Sequence, residues 1–295
     1  MVVSYGSSTL LEEGLLPVAR RAPDLTVVVV DNFSSAGERT RMRSLCVREG
    51  WRLVAPGGNT GFGVGADLGI AEAVRAGCEA VVLLNPDARA EPAVLRELLG
   101  AVHADRDLLL SPTVTLPDGS PWFVRGRLDL HSGRTSTRGG GQVGAGPAAV
   151  PWLSGACLAA SVEGWQMRGG FDPGYFLYWE DVELSLRWQR SGGRVEVRAD
   201  LVVVHDVGGT QEGPAGKSPL YVRRNCRNRL LLAGQLGRAT YLRWLRLAPS
   251  YGWETVRRGG RKRLLRRPGL LVAALRGTIE GAVMGAGAVL GTTGR

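Results

Sequence analysis

The sequence predicts an α/β protein built on a mostly parallel sheet, and three features of its N-terminal part support that prediction. Two largely apolar runs that are rich in β-branched residues or leucine, residues 25–30 and 80–84, are typical of strands that are buried on both faces. A Gly-rich turn at residues 57–63 precedes a helical segment that extends to Arg75. Strands that alternate with helices at this spacing form βαβ units and predict a doubly wound parallel sheet.

The other predicted elements continue this alternation. Further strands are expected at residues 2–3, 52–55, 108–110, 195–197 and 201–204. Further helices are expected at about residues 10–18, 36–49, 91–102 and 180–190. The first strand is very short, which suggests that residues are missing before it. Residues 129–146 are rich in Gly, Ser and Thr and predict a long mobile loop or hairpin, after which the apolar run 150–161 returns to the core.

Polar residues follow three of the predicted strands. Tyr5-Gly6 follows the first strand, Asp31-Asn32 the second and Asn85-Pro86-Asp87 the fourth. Ligands of open α/β sheets bind beyond the carboxyl ends of the strands. Each cluster alone has the composition of an ordinary turn, but three such clusters together predict a binding site.

Residues 170–187 place three carboxylates directly after a mostly aromatic run at residues 175–179. Glu180, Asp181 and Glu183 begin a predicted helix that is stopped by Gly192-Gly193. A carboxylate at such a loop-to-helix junction, shielded from water, can have a raised pKa and act as a base. The alternative is purely structural, because acids also favour a helix start and aromatic residues fill cores.

The formal net charge of +10 is concentrated near the C-terminus. Residues 238–268 hold nine arginines, one lysine and a single acid, Glu254, so the rest of the chain is close to neutral. Residues 270–290 are apolar except for Arg276 and Glu280, and these two charges argue against a membrane span. We therefore expect a basic, amphipathic C-terminus that binds an anionic membrane surface.

Four cysteines, Cys46, Cys78, Cys157 and Cys226, lack the spacing of a zinc site. They predict free thiols in a reducing compartment. The N-terminal residues do not have the pattern of a signal peptide, so a cytoplasmic location is expected.

Seven motifs occur in order along the chain. They are VVSYGS at residues 2–7, VVVDNFSS at 28–35, NTGFGVGADLGI at 59–70, LLNPDA at 83–88, WLSGACLAA at 152–160, GGFDPGYFLYWEDVELSLR at 169–187, and VVVHDVGGT with its histidine at 202–210. Together they resemble the family 2 inverting glycosyltransferases of the GT-A fold, in particular the rhamnosyltransferase-like branch. The resemblance implies a Rossmann-like, mostly parallel sheet flanked by helices. It also implies a catalytic domain at residues 1–234 and a basic, amphipathic helical extension at residues 235–295.

The resemblance assigns roles to individual residues. Asp181 corresponds to the base that takes the acceptor proton, and Glu180 could hold the acceptor or exchange roles with it. Asp87 and His205 correspond to ligands of a divalent cation, Mg²⁺ or Mn²⁺, that neutralises the leaving diphosphate. The residues that correspond to the nucleotide-sugar site are Tyr5, Gly6, Asp31, Asn32, Asn59, Gly61, Phe62, Asp67 and Asn85. The candidates for the wall around the sugar or acceptor are Trp152, Gly155 and Trp179.

The implied function is transfer of a sugar from a nucleotide-diphosphate donor to an acceptor hydroxyl in cell-envelope polysaccharide or glycolipid assembly. Rhamnose is the expected sugar, and a polyprenyl-linked saccharide at the inner face of the cell membrane is the expected acceptor. Two residues, Gly6 and Asp67, depart from the family, which usually has Asn at both positions; Asp67 adds an acid near the expected diphosphate.

Several alternatives stay open. One is a soluble small-molecule acceptor, and another is an inactive protein of the same fold. A nicotinamide-dependent dehydrogenase is suggested by Gly61, Gly63 and Gly65, although this turn follows the third strand rather than the first. A nucleic-acid-binding protein is suggested by the sequence pI of about 10.2, but the basic tract lacks regular aromatic interleaving.

Overall fold

The computed structural model of the chain describes residues 1–137, 149–206, 217–257 and 269–292. Contacts within the chain divide it into two compact units. The first unit contains Met1–Gly126, Thr137–Gly139 and Pro151–Thr210, and the second contains Arg127–Ser136, Gly140–Val150 and Gln211–Arg295. The expected domain boundary between residues 234 and 235 lies within the second unit and stays a prediction.

Strands alternate with helices along much of the chain. The strands are β1 (Val2–Ser4), β2 (Val28–Asp31), β3 (Arg52–Val54), β4 (Ala80–Leu84), β5 (Ala88–Ala90), β6 (Leu108–Thr115), β7 (Pro121–Phe123), β8 (Gly126–Asp129), β9 (Arg134–Ser136), β10 (Ala149–Trp152), β11 (Cys157–Ser161) and β12 (Arg194–His205). The helices are α1 (Ser8–Leu10), α2 (Leu16–Arg21), α3 (Ala36–Glu49), α4 (Phe62–Arg75), α5 (Pro92–Ala104), α6 (Val162–Met167), α7 (Glu180–Arg190), α8 (Pro219–Gln235), α9 (Arg238–Arg246), α10 (Ala248–Arg257) and α11 (Gly269–Thr292). A π-helical segment, Leu11–Leu15, joins α1 to α2.

The strands form a parallel group and a mixed group. Strands β1, β2 and β3 are parallel, with β1 at one edge and β3 at the other. The mixed group has the order β4-β11-β6-β12-β5, in which β6 and β12 are parallel while β11 is antiparallel to both of its neighbours. The Met1 carbonyl accepts a hydrogen bond from the Leu84 amide at 3.0 Å, so β1 also adjoins β4. The predicted α/β class is confirmed.

The mixed group differs from the parallel, doubly wound arrangement that the spacing of the elements predicted. Parallel neighbours need a long crossover connection, commonly a helix. Between β6 and β11 the described residues contain only the short strands β7 to β10 and turns. Strand β11 therefore enters the sheet in the antiparallel direction.

Local signals located several elements accurately. Strand β4 and helix α7 have the predicted bounds, and α4 ends at the predicted Arg75. Two predicted strands, at 195–197 and 201–204, are one strand, β12, whose register against β6 shifts between Arg198 and Val202. The polar residues at this point suggested an interruption, but the Arg198 guanidinium instead pairs with Asp200 at 2.8 Å on the exposed side.

The core of the first unit lies between the sheet and the helices that cover it. Leu11, Val29, Met42, Leu98 and Leu110 are among its fully buried members. All four cysteines are free thiols, as predicted. Burial raises the pKa of the Cys157 thiol to about 12, which keeps it protonated and unreactive.

The second unit combines a short hairpin with helices α8 to α11. Strand β9 lies within the segment predicted as a loop or hairpin and pairs antiparallel with β8, which immediately precedes that segment. The remainder of the segment, residues 138–146, lies outside the described residues. Arg229 of α8 is buried, donates hydrogen bonds to the carbonyls of Ser132, Gly133 and Trp244, and packs on the Trp244 ring. This arginine therefore joins the hairpin to the helices.

Helix α11 is the final described element. Its residues Gly269–Gly291 have a mean hydropathy of 1.3, so by length and composition alone they are sufficient to cross a membrane. The basic tract that precedes it, residues 258–268, lies outside the described residues.

Candidate active site

The Gly-rich turn that was predicted to bind the donor is held in place by Asn32. Asn32 follows β2, and its side-chain amide donates to the Gly61 carbonyl at 2.8 Å. Its side-chain oxygen accepts from both the amide and the hydroxyl of Thr60 at 2.9 Å. Asn59 accepts from the Gly61 amide at 2.9 Å and closes the turn. The structure thus brings Asn32, Asn59 and Gly61 together, as the motifs suggested.

Gly61 is required at this turn for two physical reasons. Its φ of +85° is unfavourable for residues with a side chain. A Cβ atom at position 61 would also overlap the Phe176 carbonyl oxygen, which accepts a hydrogen bond from the Phe62 amide at 2.9 Å. The turn is therefore in direct contact with the aromatic segment that precedes α7.

The Asp31 carboxylate is buried and already has a cationic partner. Arg39 of α3 donates to Asp31 Oδ2 at 2.5 Å, and its guanidinium also reaches the Pro56 carbonyl. The same guanidinium lies 4.5 Å from the centre of the Phe33 ring. Sequence reasoning missed Arg39, because its contact with Asp31 joins two separate elements.

The other residues near this strand end differ in their exposure. Tyr5 is 56% exposed, so its ring is available to a ligand. Gly6 has a φ of +73°, a left-handed conformation that Asn also tolerates, which accounts for either residue at this position.

Asp67 lies within the protein packing around residues 165–171. Its carboxylate accepts from Trp165 Nε1 at 2.8 Å and from the Phe171 amide at 3.1 Å. Burial raises the pKa of Asp67 to about 6. These contacts give Asp67 a structural role that the sequence did not indicate, and its expected contact with the donor stays a prediction.

Asp87 and His205 meet at the adjoining end of β5 and β12. The register of these antiparallel strands pairs His205 with Ala88, and His205 Nε2 lies 2.9 Å from Asp87 Oδ1. Asn85 Nδ2 is 3.5 Å from the same nitrogen. The Trp122 ring contacts the imidazole edge-to-face with 4.6 Å between centroids. Trp122 was not among the predicted site residues.

This pair fits a divalent cation. Adjacent ligands of an octahedral ion with bonds of about 2.1 Å are roughly 3.0 Å apart, which matches the oxygen–nitrogen separation here. Both side chains are buried, and His205 Nδ1 has no hydrogen-bond partner among the described residues. No group of three or more His, Cys, Asp or Glu residues suited to a metal occurs within the described ranges, and ligation of an ion by Asp87 and His205 stays a prediction.

The carboxylates Glu180 and Asp181 begin α7, directly after two residues in the left-handed region. Tyr178 and Trp179 have φ values of 66° and 74°, a conformation that costs of order 1–3 kcal/mol per residue and that clusters at functional sites. Asp181 Oδ2 accepts from the Gly155 amide at 3.1 Å, and Oδ1 accepts from the Val182 amide at 2.8 Å. Backbone donors therefore fix both oxygens of this carboxylate.

The two carboxylates have different electrostatic environments. Burial raises the pKa of Asp181 to about 6, while the backbone hydrogen bonds oppose that rise. Burial and the neighbouring Asp181 charge raise the pKa of Glu180 well above its ordinary value. Glu180 Oε2 is buried and has no hydrogen-bond partner in the described part of the chain. Burial therefore favours the protonated form of both carboxylates, while a pKa of about 6 still leaves Asp181 ionised at neutral pH.

The three predicted wall residues lie close to this carboxylate or in the nearby packing. Gly155 contacts both Asp181 and the Phe62 ring. Trp152 is 8% exposed and packs on the Phe123 ring, and Trp179 is 4% exposed. The small exposed areas leave little of either indole for a ligand, and the wall role of these residues stays a prediction.

Comparisons with known proteins relate the chain to named glycosyltransferases. No family model matches the chain. The chain is 29% identical over 242 residues to the N-acetylglucosaminyl-diphospho-decaprenol L-rhamnosyltransferase of Mycobacterium tuberculosis, which covers 73% of this chain and 78% of the relative. It is 27% identical over 168 residues to the low-salt glycan biosynthesis hexosyltransferase Agl10 of Haloferax volcanii, covering 55% of this chain and 53% of that relative.

Two solved structures share the fold. The mannosyltransferase PcManGT from Pyrobaculum calidifontis, in complex with GDP-Man and Mn²⁺, superposes with a TM-score of 0.55 at 16% identity over 95% of this chain and 85% of that one. GalNAc-T7 with UDP, GalNAc and Mn²⁺ superposes with a TM-score of 0.56 at 16% identity over 77% of this chain. This chain covers only 46% of the length of GalNAc-T7.

The chain thus has the GT-A fold and is a glycosyltransferase. Its named homologues are a rhamnosyltransferase and a hexosyltransferase, so the predicted resemblance is confirmed at this level. The dehydrogenase and nucleic-acid-binding alternatives are not supported by any of these relatives.

Proposed function

We propose that the protein is an inverting glycosyltransferase that moves a sugar, with rhamnose as the first candidate, from a nucleotide-diphosphate donor to a hydroxyl of a polyprenyl-linked saccharide. The observation that carries the proposal is the Glu180–Asp181 pair, in which backbone amides orient the Asp181 carboxylate and burial raises the pKa of both carboxylates. The name of the mycobacterial relative supports the choice of sugar and acceptor.

Asp181 is the base in this mechanism. Its ionised carboxylate takes the proton of the acceptor hydroxyl while that oxygen forms a bond to the anomeric carbon. The bond between the anomeric carbon and the diphosphate oxygen breaks on the opposite side, and its electron pair leaves with the nucleoside diphosphate. A single displacement inverts the anomeric configuration. A pKa near 6 leaves Asp181 ionised at neutral pH and basic enough to accept the proton.

Glu180 has a supporting role in this proposal. A second negative charge beside Asp181 is costly in a buried site, and this raises the pKa of Glu180. Its oxygen Oε2 has no hydrogen-bond partner among the described residues and is available to a hydroxyl group of the acceptor. Asp181 is the preferred base because backbone amides orient both of its oxygens.

Asp87 and His205 would hold a divalent cation, Mg²⁺ or Mn²⁺, with Asn85 beside them. Such an ion neutralises charge that develops on the leaving diphosphate. The fold relatives that were solved with Mn²⁺ support the choice of a divalent cation.

The donor's nucleotide would lie along Asp31 and the turn at residues 59–62, with Tyr5 exposed beside it. The amide-rich turn and the start of α4 favour the negative diphosphate. Arg39, which pairs with Asp31, sets the position of the carboxylate that would face the base.

The enzyme would work at the cytoplasmic face of the cell membrane without spanning the bilayer. A polyprenyl-linked acceptor cannot leave the bilayer, so the enzyme must come to it. The excess of arginine in residues 238–268 provides an attraction to anionic lipids, at about 1 kcal/mol per cationic residue close to the surface.

A thermal-shift panel of nucleotide sugars, each with and without Mn²⁺, tests the donor. A ligand that binds the folded state raises the midpoint of unfolding by mass action, so the true donor should raise it most and more so with the ion. Product analysis with a lipid-linked and a water-soluble acceptor then identifies the acceptor class. The proposal fails if no nucleotide sugar stabilises the protein and no transfer is detected with either acceptor.

A further inference from the structure

Helix α11 has an exposed apolar face that continues along its whole length. Val272, Leu275, Ile279, Val283 and Leu290 are between 49% and 73% exposed. At about 100° per residue these five positions fall within an arc of roughly 80°, and at 1.5 Å per residue they extend over about 27 Å. We call these five residues the apolar stripe. Contiguous exposed apolar surface of this kind marks an interaction site.

The opposite side of α11 is fixed against α8 by glycine. Gly277, Gly281 and Gly285 recur every fourth residue, and a Cβ atom at any of them would overlap a backbone carbonyl of α8. The contacted residues of α8 advance in step with α11, so the two helices run parallel. The same helical geometry places this glycine seam about 180° from the apolar stripe. The seam therefore points the stripe away from α8.

Charged groups lie beside the seam. Arg223 of α8 donates to Glu280 of α11 at 3.0 Å, and the carbonyls of Arg223 and Arg227 are two of those that the glycines contact. If α11 crossed a bilayer while packed on α8, these arginines would enter the hydrocarbon region, where charged side chains are strongly disfavoured. The packing of α11 is thus incompatible with a spanning helix, although its length and composition alone would allow one.

The charge of the second unit fits an anionic surface. Among its described residues the acids are Asp129, Glu254 and Glu280, and each is engaged by a hydrogen bond or an ion pair within the unit. By contrast, the exposed residues of its helices include Arg238, Arg243, Arg246, Arg257 and Arg276. An apolar stripe on a unit with unpaired positive charge at its surface suits lipid headgroups with acyl chains beneath them.

We infer that α11 is an in-plane membrane anchor: its apolar stripe lies at the boundary between headgroups and acyl chains of an anionic bilayer, and the helix does not cross it. This inference rests on the proposed function, which calls for a membrane-bound acceptor. It deepens that function by assigning membrane attachment to one face of one helix. The basic segments supply long-range attraction, and the stripe supplies the apolar contact that salt cannot remove.

The test compares two triple variants in the full-length protein. Leu275→Gln, Ile279→Gln and Val283→Gln together remove the centre of the stripe without touching the glycine seam. Val47→Gln, Met167→Gln and Val202→Gln remove three exposed apolar side chains from the first unit and serve as the matched control. Flotation is measured with phosphatidylglycerol–phosphatidylcholine vesicles and with phosphatidylcholine vesicles alone.

The native protein and the control variant should float with the anionic vesicles. The stripe variant should bind these vesicles at least about tenfold more weakly. Alkaline carbonate should release the native protein from the vesicles, because an in-plane helix is extractable. Equal binding by the stripe variant, or native protein that resists carbonate, overturns the inference. So does a native dimer that lacks vesicle binding and that the stripe variant converts to a monomer.

Turnover on a water-soluble acceptor analogue separates this inference from the proposed function. The stripe variant should transfer sugar to the soluble analogue at the native rate. If neither protein transfers sugar to any acceptor but the difference in flotation persists, the proposed function fails and the membrane inference stands. If both transfer sugar but neither floats, the membrane inference fails alone.

Discussion

Replacing Asp181 by Asn should lower turnover while making the folded protein more stable. Asn keeps the size of the side chain and one oxygen to accept the Gly155 amide, but it cannot take a proton. Loss of a general base typically costs about 10²–10⁴ in rate. Donor binding should persist, because Asp181 is not among the residues expected to contact the nucleotide.

The gain in stability follows from the raised pKa. Burial raises the pKa of Asp181 from 3.8 to about 6. At about 1.4 kcal/mol per pKa unit this difference corresponds to about 3 kcal/mol of destabilisation at neutral pH. The penalty is absent below pH 3.8, grows as the pH rises to about 6 and is constant above that. Asn cannot also accept the Val182 amide, so the free energy of unfolding of Asp181→Asn should exceed that of the native protein by less than about 3 kcal/mol at pH 7.5 and should not exceed it at pH 4.

Urea unfolding at the two pH values measures the stability difference, and release of nucleoside diphosphate in the presence of acceptor measures turnover. Native turnover should also fall as the pH drops through about 6, since the base then becomes protonated. Glu180→Gln is the matched control, because Gln resembles the protonated acid and should leave most of the turnover intact. Near-native turnover of Asp181→Asn, or a loss in Glu180→Gln as large as that expected for Asp181→Asn, would refute the assignment of the base.

Three further predictions concern the ion, the donor turn and the interior acid. Asp87→Ala or prolonged dialysis against EDTA should abolish transfer, with a smaller loss for His205→Ala; full activity after EDTA treatment would remove the ion from the mechanism. Gly61→Ala should reduce the thermal shift produced by the donor, because the added methyl group overlaps the Phe176 carbonyl and the φ of +85° is strained; an unchanged shift would contradict the placement of the donor. At pH 4, Asp67→Ala should lower the free energy of unfolding by about 1–3 kcal/mol, because the buried Trp165 and Phe171 donors lose their acceptor, and the loss should be smaller at pH 7.5, where the variant also lacks the buried charge. Its donor-induced shift should be retained, and loss of that shift at unchanged stability would instead support direct contact between Asp67 and the donor.

Local chemistry in the sequence was sufficient for the elements with strong signals at both ends. The uninterrupted apolar run of β4 and the acids and glycines that flank α7 depend on residues close together in the chain. The polar strand ends and the Gly-rich turn were likewise predictable, and the motifs they form indicated the enzyme class that the comparisons confirm. Residue 61 had to be glycine, but the sequence could not show that the Phe176 carbonyl is one reason.

Only the tertiary structure decided how the site residues are paired and charged. Arg39 on Asp31, Trp122 on His205 and Trp165 on Asp67 are contacts between separate elements, and no local pattern announces them. The sequence left Asp181 and Glu180 interchangeable as the base. Their different burial and hydrogen bonding separate them, because the cost of a charge depends on the water and dipoles around it, and these are set by residues such as Gly155 that lie far away in the chain.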